Sequence, residues 1–396
     1  RITDIGGPLV PRLTLYGPAG NYITYNQGAT VAQINYAARE TGTYTVVVSD
    51  RSPGFDATGP YKLYFAHVPG ANDGGALYNR DLVPGTLDTG ELNAYTFSVS
   101  AGESVQIRIA DTEENDFRPR LTLYDPNGKY VTYNQGATVA QINYAARLDG
   151  TYTVVVSDWS SGFDAVGVYN LYFAHLPSAN NGGALVSGEH INGFMDLGAI
   201  DAYTFDITAG ENVQIRIADT EENDFRPRLT LYDPNGKYVT YNQGATVAQL
   251  NYAARLSGTY TVVVTDWSSG FDGTGFYNIY FAQAAGATDG GQLAGGIVAS
   301  GSMQVGDLDS YAIDAGDGEA IQITLNDTSG SDFRPRITLY GPDGRYITYR
   351  QGDNITLNYR AAEAGTHTVI ISDWSSGFDG QGSYTIGFVG EAPESI

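Results

Sequence analysis

The sequence PRLTLYDPNG at residues 119–128 decides how this chain is organised. Its first six residues recur at intervals of 108 residues, as PRLTLY from residues 11 and 227 and as PRITLY from residue 335. A second segment, GTYTVVV, recurs with it, from residues 42, 150 and 258, and appears as GTHTVII from residue 365. Self-similarity at a fixed period indicates tandem copies of one unit. We expect a partial first repeat at 1–72 and whole second, third and fourth repeats at 73–180, 181–288 and 289–396.

Apolar and polar residues alternate within each repeat. In the second repeat, alternation places Tyr152, Val154 and Val156 in a core, with Thr153 and Val155 on a wet outer face. A period of two is typical of strands with one buried side. The proline and glycine of DPNG suit a hairpin turn, and no helical period extends beyond two turns. Seven to nine short strands in about 100 residues predict an all-β fold, a tandem array of antiparallel β-sandwiches.

The composition excludes several classes of function. The chain has 396 residues, no cysteine and four histidines, with a net charge of -23. The lack of cysteine excludes disulfides, thiol catalysis and cysteine-ligated metals. Such an acidic chain is unsuited to nucleic acid and to anionic membranes, and it has no apolar run long enough to span a bilayer. Because no histidine recurs in every repeat, a serine–histidine–aspartate site has no support, and we expect no enzymatic activity.

The second and third repeats are unequally alike along their length. Residues 106–141 and 214–249 are identical at all 36 positions, whereas 73–105 and 181–213 match at 15 of 33. A recent duplication with patchy exchange accounts for this pattern. A contact surface that recurs in each repeat accounts for it equally well.

Acidic residues are dense in two loops of the second and third repeats. If successive strands alternate in direction, these loops lie at the same end of the sandwich. Gathered carboxylates are typical of calcium sites, although solvated acidic loops are the alternative. Calcium is the one cofactor that the sequence suggests. The candidate ligands are Asp111, Glu113, Asp116, Asp158 and Asp164 in the second repeat, and Asp219, Glu221, Asp224, Asp266 and Asp272 in the third.

Tyrosine is abundant in this chain, which contains 30 of them. Alternation places several of these rings on the outer face, where they offer large contact area at low entropy cost. Ordinary strand propensity is the alternative explanation. The tryptophans of the repeated DWSSGFD loop either close the end of the sandwich or contact a ligand. We predict an interaction surface formed by Tyr124, Tyr232, Tyr340, Tyr172 and Tyr280.

The order of these segments resembles the bacterial pre-peptidase C-terminal domain. The resemblance lies in GDLDSY at 306–311, the DFRPRLTLYDPNG hairpin at 116–128, GTYTVVV at 150–156 and a closing YNL strand at 169–171. It covers each whole repeat and the second half of the first. It implies a secreted, non-catalytic, jelly-roll-like β-sandwich that accompanies exported hydrolases or surface proteins. Some members of this family bind calcium or polymeric substrates.

The leading hypothesis is a non-catalytic structural or adhesive repeat protein of the bacterial exterior, part of a surface fibre or filament. Short linkers between near-identical repeats favour reach and repeated contacts over chemistry. The expected partners are copies of the chain or other surface proteins, and a polysaccharide is a further candidate. The alternative is a carbohydrate- or substrate-binding accessory array of a larger secreted hydrolase.

The first repeat begins within the repeated unit, since Arg1 aligns with Arg108. About 35 residues of the repeat precede that point in the second copy. Without them, one sheet would be uncovered and its strand edges unpaired. We expect a longer native chain that precedes Arg1, in preference to strands donated by another subunit.

Overall fold

The computed structural model describes residues 1–79, 82–113, 115–221 and 224–391. Over these residues the chain forms strands joined by turns and no helix, which confirms the all-β prediction. Accordingly, this part of the chain has no helix of the length and apolar character needed to cross a membrane. The chain divides into two compact units, Arg1–His175 and Leu176–Ile396. The first contains the first repeat and nearly all of the second, and the other contains the third and fourth.

The first unit contains the strands of the two N-terminal repeats. Those of the first repeat are β1 (Ile2–Asp4), β2 (Pro11–Tyr16), β3 (Tyr22–Gln27), β4 (Val31–Ala32), β5 (Thr45–Asp50) and β6 (Tyr61–Leu63). Those of the second repeat are β7 (Gly75–Ala76), β8 (Leu82–Leu87), β9 (Leu92–Val99), β10 (Ser104–Asp111), β11 (Pro119–Tyr124), β12 (Tyr130–Gln135), β13 (Val139–Ala145), β14 (Gly150–Asp158) and β15 (Gly167–Leu176).

The second unit repeats this plan twice. The third repeat has β16 (Gly183–Ala184), β17 (His190–Met195), β18 (Asp201–Ile207), β19 (Asn212–Asp219), β20 (Pro227–Tyr232), β21 (Tyr238–Gln243), β22 (Val247–Ala253), β23 (Gly258–Asp266) and β24 (Gly275–Gln283). The fourth has β25 (Val298–Met303), β26 (Leu308–Ala315), β27 (Ala320–Asp327), β28 (Pro335–Tyr340), β29 (Tyr346–Gln351), β30 (Asn354–Arg360), β31 (Gly365–Asp373) and β32 (Gly382–Glu391).

Each whole repeat is a sandwich of two sheets. In the second repeat the first sheet has the order β12-β11-β14-β9-β7 and the second sheet the order β13-β10-β15-β8. The strands pair antiparallel, except that short β7 runs parallel to β9. The first sheet of the fourth repeat, β26-β31-β28-β29, and its second sheet, β25-β32-β27-β30, follow the same plan. Inward residues from both sheets form one apolar core in each of these repeats.

The central strand of the first sheet, β14, is buried on both faces. Tyr152, Val154 and Val156 are fully buried, as the alternation predicts. The prediction of a wet outer face is wrong, because Thr153 is 1% and Val155 is 8% exposed. Alternation along a strand reports which side faces the strand's own core, but it does not report what covers the other side.

The first repeat has a smaller core. Its two sheets have three strands each, in the orders β4-β1-β6 and β3-β2-β5. Its buried cluster comprises Ile2, Leu13 and Ala32, with partly buried Ile34 and Val48 packed against it. Strand β5 pairs with β2 and lies at the edge of its sheet, whereas its counterpart β14 lies between two partners.

Candidate functional site

The aspartate that begins the DWSSGFD loop uses its carboxylate to accept hydrogen bonds from the protein itself. The buried Asp158 carboxylate accepts hydrogen bonds from the backbone N–H groups of Arg118 at 3.2 Å, Ser160 at 2.8 Å and Ala165 at 3.2 Å. It also accepts one from the Ser160 hydroxyl. The corresponding Asp266 and Asp373 accept the same set of bonds. These carboxylates order the loop, and their oxygens are directed at protein donors.

The other candidate calcium ligands do not converge. Asp111 is buried and accepts from the Glu113 backbone N–H at 3.1 Å, and burial raises the pKa of its carboxyl. Asp219 likewise accepts from the Glu221 backbone N–H at 3.0 Å, and burial raises the pKa of its carboxyl. The side chains of Glu113, Asp116, Asp164, Glu221, Asp224 and Asp272 are exposed.

Calcium needs six to eight oxygens gathered around one point. Among the described residues there is no group of three or more histidine, cysteine, aspartate or glutamate side chains arranged to hold a metal ion. The described part of these loops therefore does not fit calcium. Two further acids of the same loops, Glu114 and Glu222, lie outside the described residues.

The same loop contains a phenylalanine in an unusual backbone conformation. Phe163 has a φ of 57° and Phe378 a φ of 61°, in the left-handed region that residues other than glycine seldom adopt. In the first unit the Arg1 guanidinium lies 5.3 Å from the centre of the Phe163 ring. In the second unit Arg216 lies 5.3 Å from the centre of the Phe378 ring. The loop therefore presents its ring to an arginine of the preceding repeat, an attractive cation–π contact.

The junction between the third and fourth repeats is polar at one side and apolar at the other. Arg216 Nη2 donates to the Asp373 backbone carbonyl at 2.7 Å. Gln214 Nε2 donates to the Tyr340 hydroxyl at 2.8 Å. Both bonds join the second sheet of the third repeat to the first sheet of the fourth. The apolar side is a buried cluster of Ala218, Val247, Tyr280, Ala282, Ala284, Ala287, Leu308, Tyr340 and Ile370.

The junction between the first and second repeats contains the same arginine contact. Arg1 Nη2 donates to the Asp158 backbone carbonyl at 3.3 Å. In both junctions the arginine Nε donates to a glutamine, Gln33 directly after β4 at 2.8 Å and Gln249 on β22 at 3.1 Å. One heterologous contact between consecutive repeats is thus present in each unit, built from equivalent residues.

The linkers also pack against the repeat that follows them. A Cβ added at Gly128, in the β11–β12 turn, would lie 2.4 Å from the Val68 carbonyl oxygen of the linker. At Gly236, in the corresponding turn of the third repeat, it would lie 2.2 Å from the Leu176 oxygen. Both glycines have positive φ, +75° and +70°. The turn therefore needs glycine for its backbone and for the close approach of the linker.

The predicted tyrosine surface is largely covered. Tyr340 is 3% exposed and Tyr280 is 6% exposed, since both belong to the apolar cluster between the third and fourth repeats. Burial raises the pKa of Tyr340 to about 12. Tyr232 is also buried, and Tyr124 and Tyr172 are half-buried. These rings do face away from their own sandwich, but the structure does not leave them as an open track.

A different set of tyrosines is exposed, on the edge strand that follows the hairpin turn. In the second repeat this strand is β12, and Arg120 of the neighbouring β11 lies between two aromatic rings, 4.1 Å from the centre of Tyr133 and 4.5 Å from that of Trp159. The third and fourth repeats contain the same stack. Trp159, 39% exposed, lies on the outer face and does not close the end of the sandwich. The edge-strand tyrosines, 42–56% exposed, are Tyr22, Tyr25, Tyr130, Tyr133, Tyr238, Tyr241, Tyr346 and Tyr349.

Sequence analysis missed the junction arginines and glutamines. Gln214 and Arg216 occupy the polar positions of the alternating segment NVQIRIAD, which on a strand predicts solvent exposure. Both are buried. One signal was present, since these residues lie within the block that is identical between the second and third repeats. That block includes residues from both sides of the junction.

Comparison with known proteins supports the resemblance that the sequence suggested. Residues 91–158 match the family described as the bacterial pre-peptidase C-terminal domain. This stretch falls in the second repeat, so the predicted kinship of that repeat is confirmed. No curated protein sequence matches the chain.

Several solved structures are similar to parts of the chain. One is the pre-peptidase C-terminal domain of a collagenase from Bacillus anthracis, at 19% identity and a TM-score of 0.23, covering 26% of this chain and 96% of that one. Another is tripeptidyl peptidase 2, at 7% identity and a TM-score of 0.21, covering 75% of this chain and 33% of that one.

Proposed function

We propose that this chain is a non-catalytic structural or adhesive segment of a bacterial surface fibre, located outside the cell. The observation that most supports this is the junction of Arg1 with the Asp158 carbonyl, which recurs as the junction of Arg216 with the Asp373 carbonyl. Each joins the second sheet of one repeat to the first sheet of the next. A contact between two different faces propagates along a series of copies, which suits a fibre.

The junctions have the character of a fixed connection. Apolar residues of two repeats share one buried cluster in the second unit, and the linkers pack directly on the turn glycines. Interfaces between domains that are loosely coupled are usually more polar and smaller. A series of repeats with buried junctions transmits position and load, which is the requirement of a stalk or fibre.

The histidines of the chain offer no support for catalysis. His367 is fully buried in the fourth repeat, and His175 is paired with Glu103 at 2.8 Å. Neither lies beside a serine or threonine nucleophile in the hydrogen bonds of the described residues. The family match agrees with this proposal, because pre-peptidase C-terminal domains accompany the catalytic domains of exported enzymes.

The partner that we propose first is another copy of the chain, bound through the exposed edge-strand tyrosines. Recurring rings such as Tyr130 and Tyr133 give many weak contacts, which gain strength from effective concentration. The net charge of -23 opposes the approach of copies, so salt should promote it. The exposed arginine–aromatic stacks favour the alternative, a carbohydrate-binding accessory array, because sugar rings stack on such surfaces.

Sedimentation velocity without any added ligand separates the two functions. A fibre subunit is expected to form large species that grow with protein concentration and salt, visible as filaments by electron microscopy. A chain that stays monomeric under all conditions, yet is retarded on a polysaccharide gel, would replace the fibre with the accessory array. Changing Tyr130, Tyr133, Tyr238 and Tyr241 to serine should reduce assembly, while the same change at buried Tyr340 should instead lower stability.

The fixed junction has its own test, helped by the absence of cysteine. Spin labels placed at exposed Ser257 and Ala364, on the third and fourth repeats, should give one narrow distance distribution. The double change of Gln214 and Arg216 to alanine should broaden it. The matched control is the same pair of positions in the fourth repeat, Gln322 and Thr324, where alanine should leave the distribution unchanged. A broad distribution in the parent chain would remove the main support for a fibre.

A further inference from the structure

A cleft of about 150 Å³ lies at the junction of the third and fourth repeats. Strands β19 and β22 provide amides and a guanidinium on one side, Gln249, Asn251 and Arg216. Strands β28 and β29 and the end of β31 provide Arg336, Tyr346 and Trp374 on the other. Planar amides, guanidinium groups and aromatic rings are thus directed at the same small space.

Arg216, which lines this cleft, has one donor that no described protein group satisfies. The side chain is fully buried, with Nε bound to Gln249 at 3.1 Å and Nη2 bound to the Asp373 carbonyl at 2.7 Å. Its buried Nη1 has no acceptor within the described residues. Nη1 of Arg1, in the junction of the first unit, is buried without an acceptor as well. A buried donor left unpaired is costly, and its recurrence at equivalent places points to a missing acceptor.

The cleft is positive although the protein is strongly acidic. No aspartate or glutamate is among the described residues that line it, whereas two arginines do. Arg336 lies 4.1 Å from the centre of the Tyr349 ring and 4.8 Å from that of Trp374, so its charge is not paired with a carboxylate there. Burial lowers the pKa of Arg216 to about 10, the Asp373 carboxylate opposes this effect, and the positive charge of Arg336 adds to it. The Asp373 carboxylate already accepts hydrogen bonds from Arg334, Ser375 and Gly380, so the two guanidinium groups favour a further anion between them.

We propose that the junction cleft binds an oxyanion group of an acidic polysaccharide, with the anion between the guanidinium groups of Arg216 and Arg336. Gln249 and Asn251 bind hydroxyls of the same sugar, and Trp374 and Tyr346, 41% and 50% exposed, stack on the adjoining rings. The cleft is smaller than the roughly 300 Å³ of pockets for drug-sized ligands. It therefore accepts one charged group of a longer chain that continues over the aromatic surface. This inference does not depend on fibre formation.

The first unit contains an equivalent arrangement. Arg120 occupies the place of Arg336, stacked between Tyr133 and Trp159. Burial lowers the pKa of the Arg1 guanidinium, the Asp158 carboxylate opposes this effect, and the charge of Arg120 adds to it. A polysaccharide with repeated acidic groups therefore has one such site in each of the two units. Neutral sugars would leave the buried guanidinium donor unpaired and should be rejected.

The test is titration calorimetry on the full chain at a protein concentration where it is monomeric. The probes are short oligogalacturonate, dextran sulfate, unmodified dextran and a polyglutamate of similar length. The proposal expects oligogalacturonate, dextran sulfate or both to bind, which identifies the anion as carboxylate or sulfate, and expects dextran not to bind. Changing both Arg120 and Arg336 to glutamine should weaken binding at least tenfold, with circular dichroism and the thermal midpoint near those of the parent.

Arg12→Gln is the matched control, because Arg12 stacks on Tyr25 as Arg336 stacks on Tyr349, but it does not line the junction cleft. Its affinity should equal that of the parent. Equal loss with Arg12→Gln would mean general charge attraction and would overturn the proposal. Dextran binding as tightly as the acidic probes would also overturn it. Equal binding of polyglutamate would assign the site to protein carboxylates, and binding of no probe would leave water as the acceptor; either result overturns the proposal.

Discussion

Residues 42–50 and 150–158 have the identical sequence GTYTVVVSD and very different surroundings. Val46 and Val47 are 44% and 43% exposed, whereas Val154 and Val155 are 0% and 8% exposed. Strand β5 has one neighbour in its sheet, and β14 has two, β11 and β9. The same residues therefore form an open edge in one repeat and the centre of a sandwich in the next.

The local structure of the two segments is nevertheless alike. The Tyr44 hydroxyl donates to the Glu40 carbonyl at 3.0 Å, and the Tyr152 hydroxyl donates to the Leu148 carbonyl at 3.2 Å. Both segments also pair with a PRLTLY strand in the same register, Val46 with Leu15 and Val154 with Leu123. Hydrogen bonds between residues near in sequence survive the change of environment, whereas burial does not.

Removing the shared tyrosine should give the largest contrast. Tyr152→Ala is expected to destabilise the second repeat by roughly 3–5 kcal/mol, as deletion of large buried rings does. Tyr44→Ala should destabilise the first repeat by only about 1 kcal/mol, because its ring is partly exposed. Urea unfolding followed peptide by peptide with hydrogen exchange assigns each effect to its repeat. Similar losses at both positions would mean that β5 is as well covered as β14.

The unaltered chain should show the same contrast in amide exchange. Amides of β14 are bonded on both sides of a covered sheet, so they should exchange at least 100-fold more slowly than those of β5, a difference of about 2.7 kcal/mol in opening free energy. The two strands have identical side chains from Thr45 and Thr153 onward, so intrinsic exchange rates cancel. Equal protection of the two strands would contradict the structural difference described above.

A single polar substitution tests the covered outer face. Val155→Thr should destabilise the second repeat by about 1–3 kcal/mol, because it buries a hydroxyl without an assured partner. Val47→Thr, at the equivalent exposed position, should change stability by less than about 0.5 kcal/mol. If Val155→Thr is equally mild, the outer face of β14 is wet in solution, as alternation alone predicts.

The reverse comparison keeps the surroundings and changes the residue. Asn93 in the second repeat donates to the Tyr169 hydroxyl at 2.9 Å, and at the equivalent place Asp309 accepts from the Tyr384 hydroxyl. Burial raises the pKa of Asp309 to about 7, with further contributions from Asp307 and Asp289. An unfolded aspartate has a pKa of about 3.9. The folded fourth repeat therefore retains a proton that the unfolded chain loses, and its stability should fall as the pH rises from about 4 to 7.

Asp309→Asn should remove that fall, so the variant gains stability over the parent as the pH rises through this window. The reciprocal Asn93→Asp should introduce the same fall in the second repeat. Thermal unfolding of each variant from pH 4 to pH 8 measures the effect. If Asp309→Asn instead gained stability over the parent toward low pH, the sign would be opposite, and Asp309 would be ionised and paired in the folded repeat.

Much of the fold followed from the sequence because it depends on short-range patterns. Alternation gave the inward residues Tyr152, Val154 and Val156 correctly, and the DPNG turn lies between β11 and β12 as expected. The surroundings of the candidate site residues could not be predicted from the sequence. The aspartates proposed as metal ligands, such as Asp158, are consumed by backbone donors of their own loop, and composition does not reveal where a carboxylate's hydrogen bonds go.

The sequence by itself determined that this protein is a series of related β-sandwiches, because the 108-residue period and the two-residue alternation are properties of the chain read in order. Only the tertiary structure decided what lies between the sandwiches. Whether Arg216, Gln214 and Tyr340 face water or another repeat depends on how two sheets meet, through hydrogen bonds that join residues 126 and 157 positions apart in the chain. Alternation distinguishes two sides of a strand, but burial of the second side is set by contacts that no local pattern records.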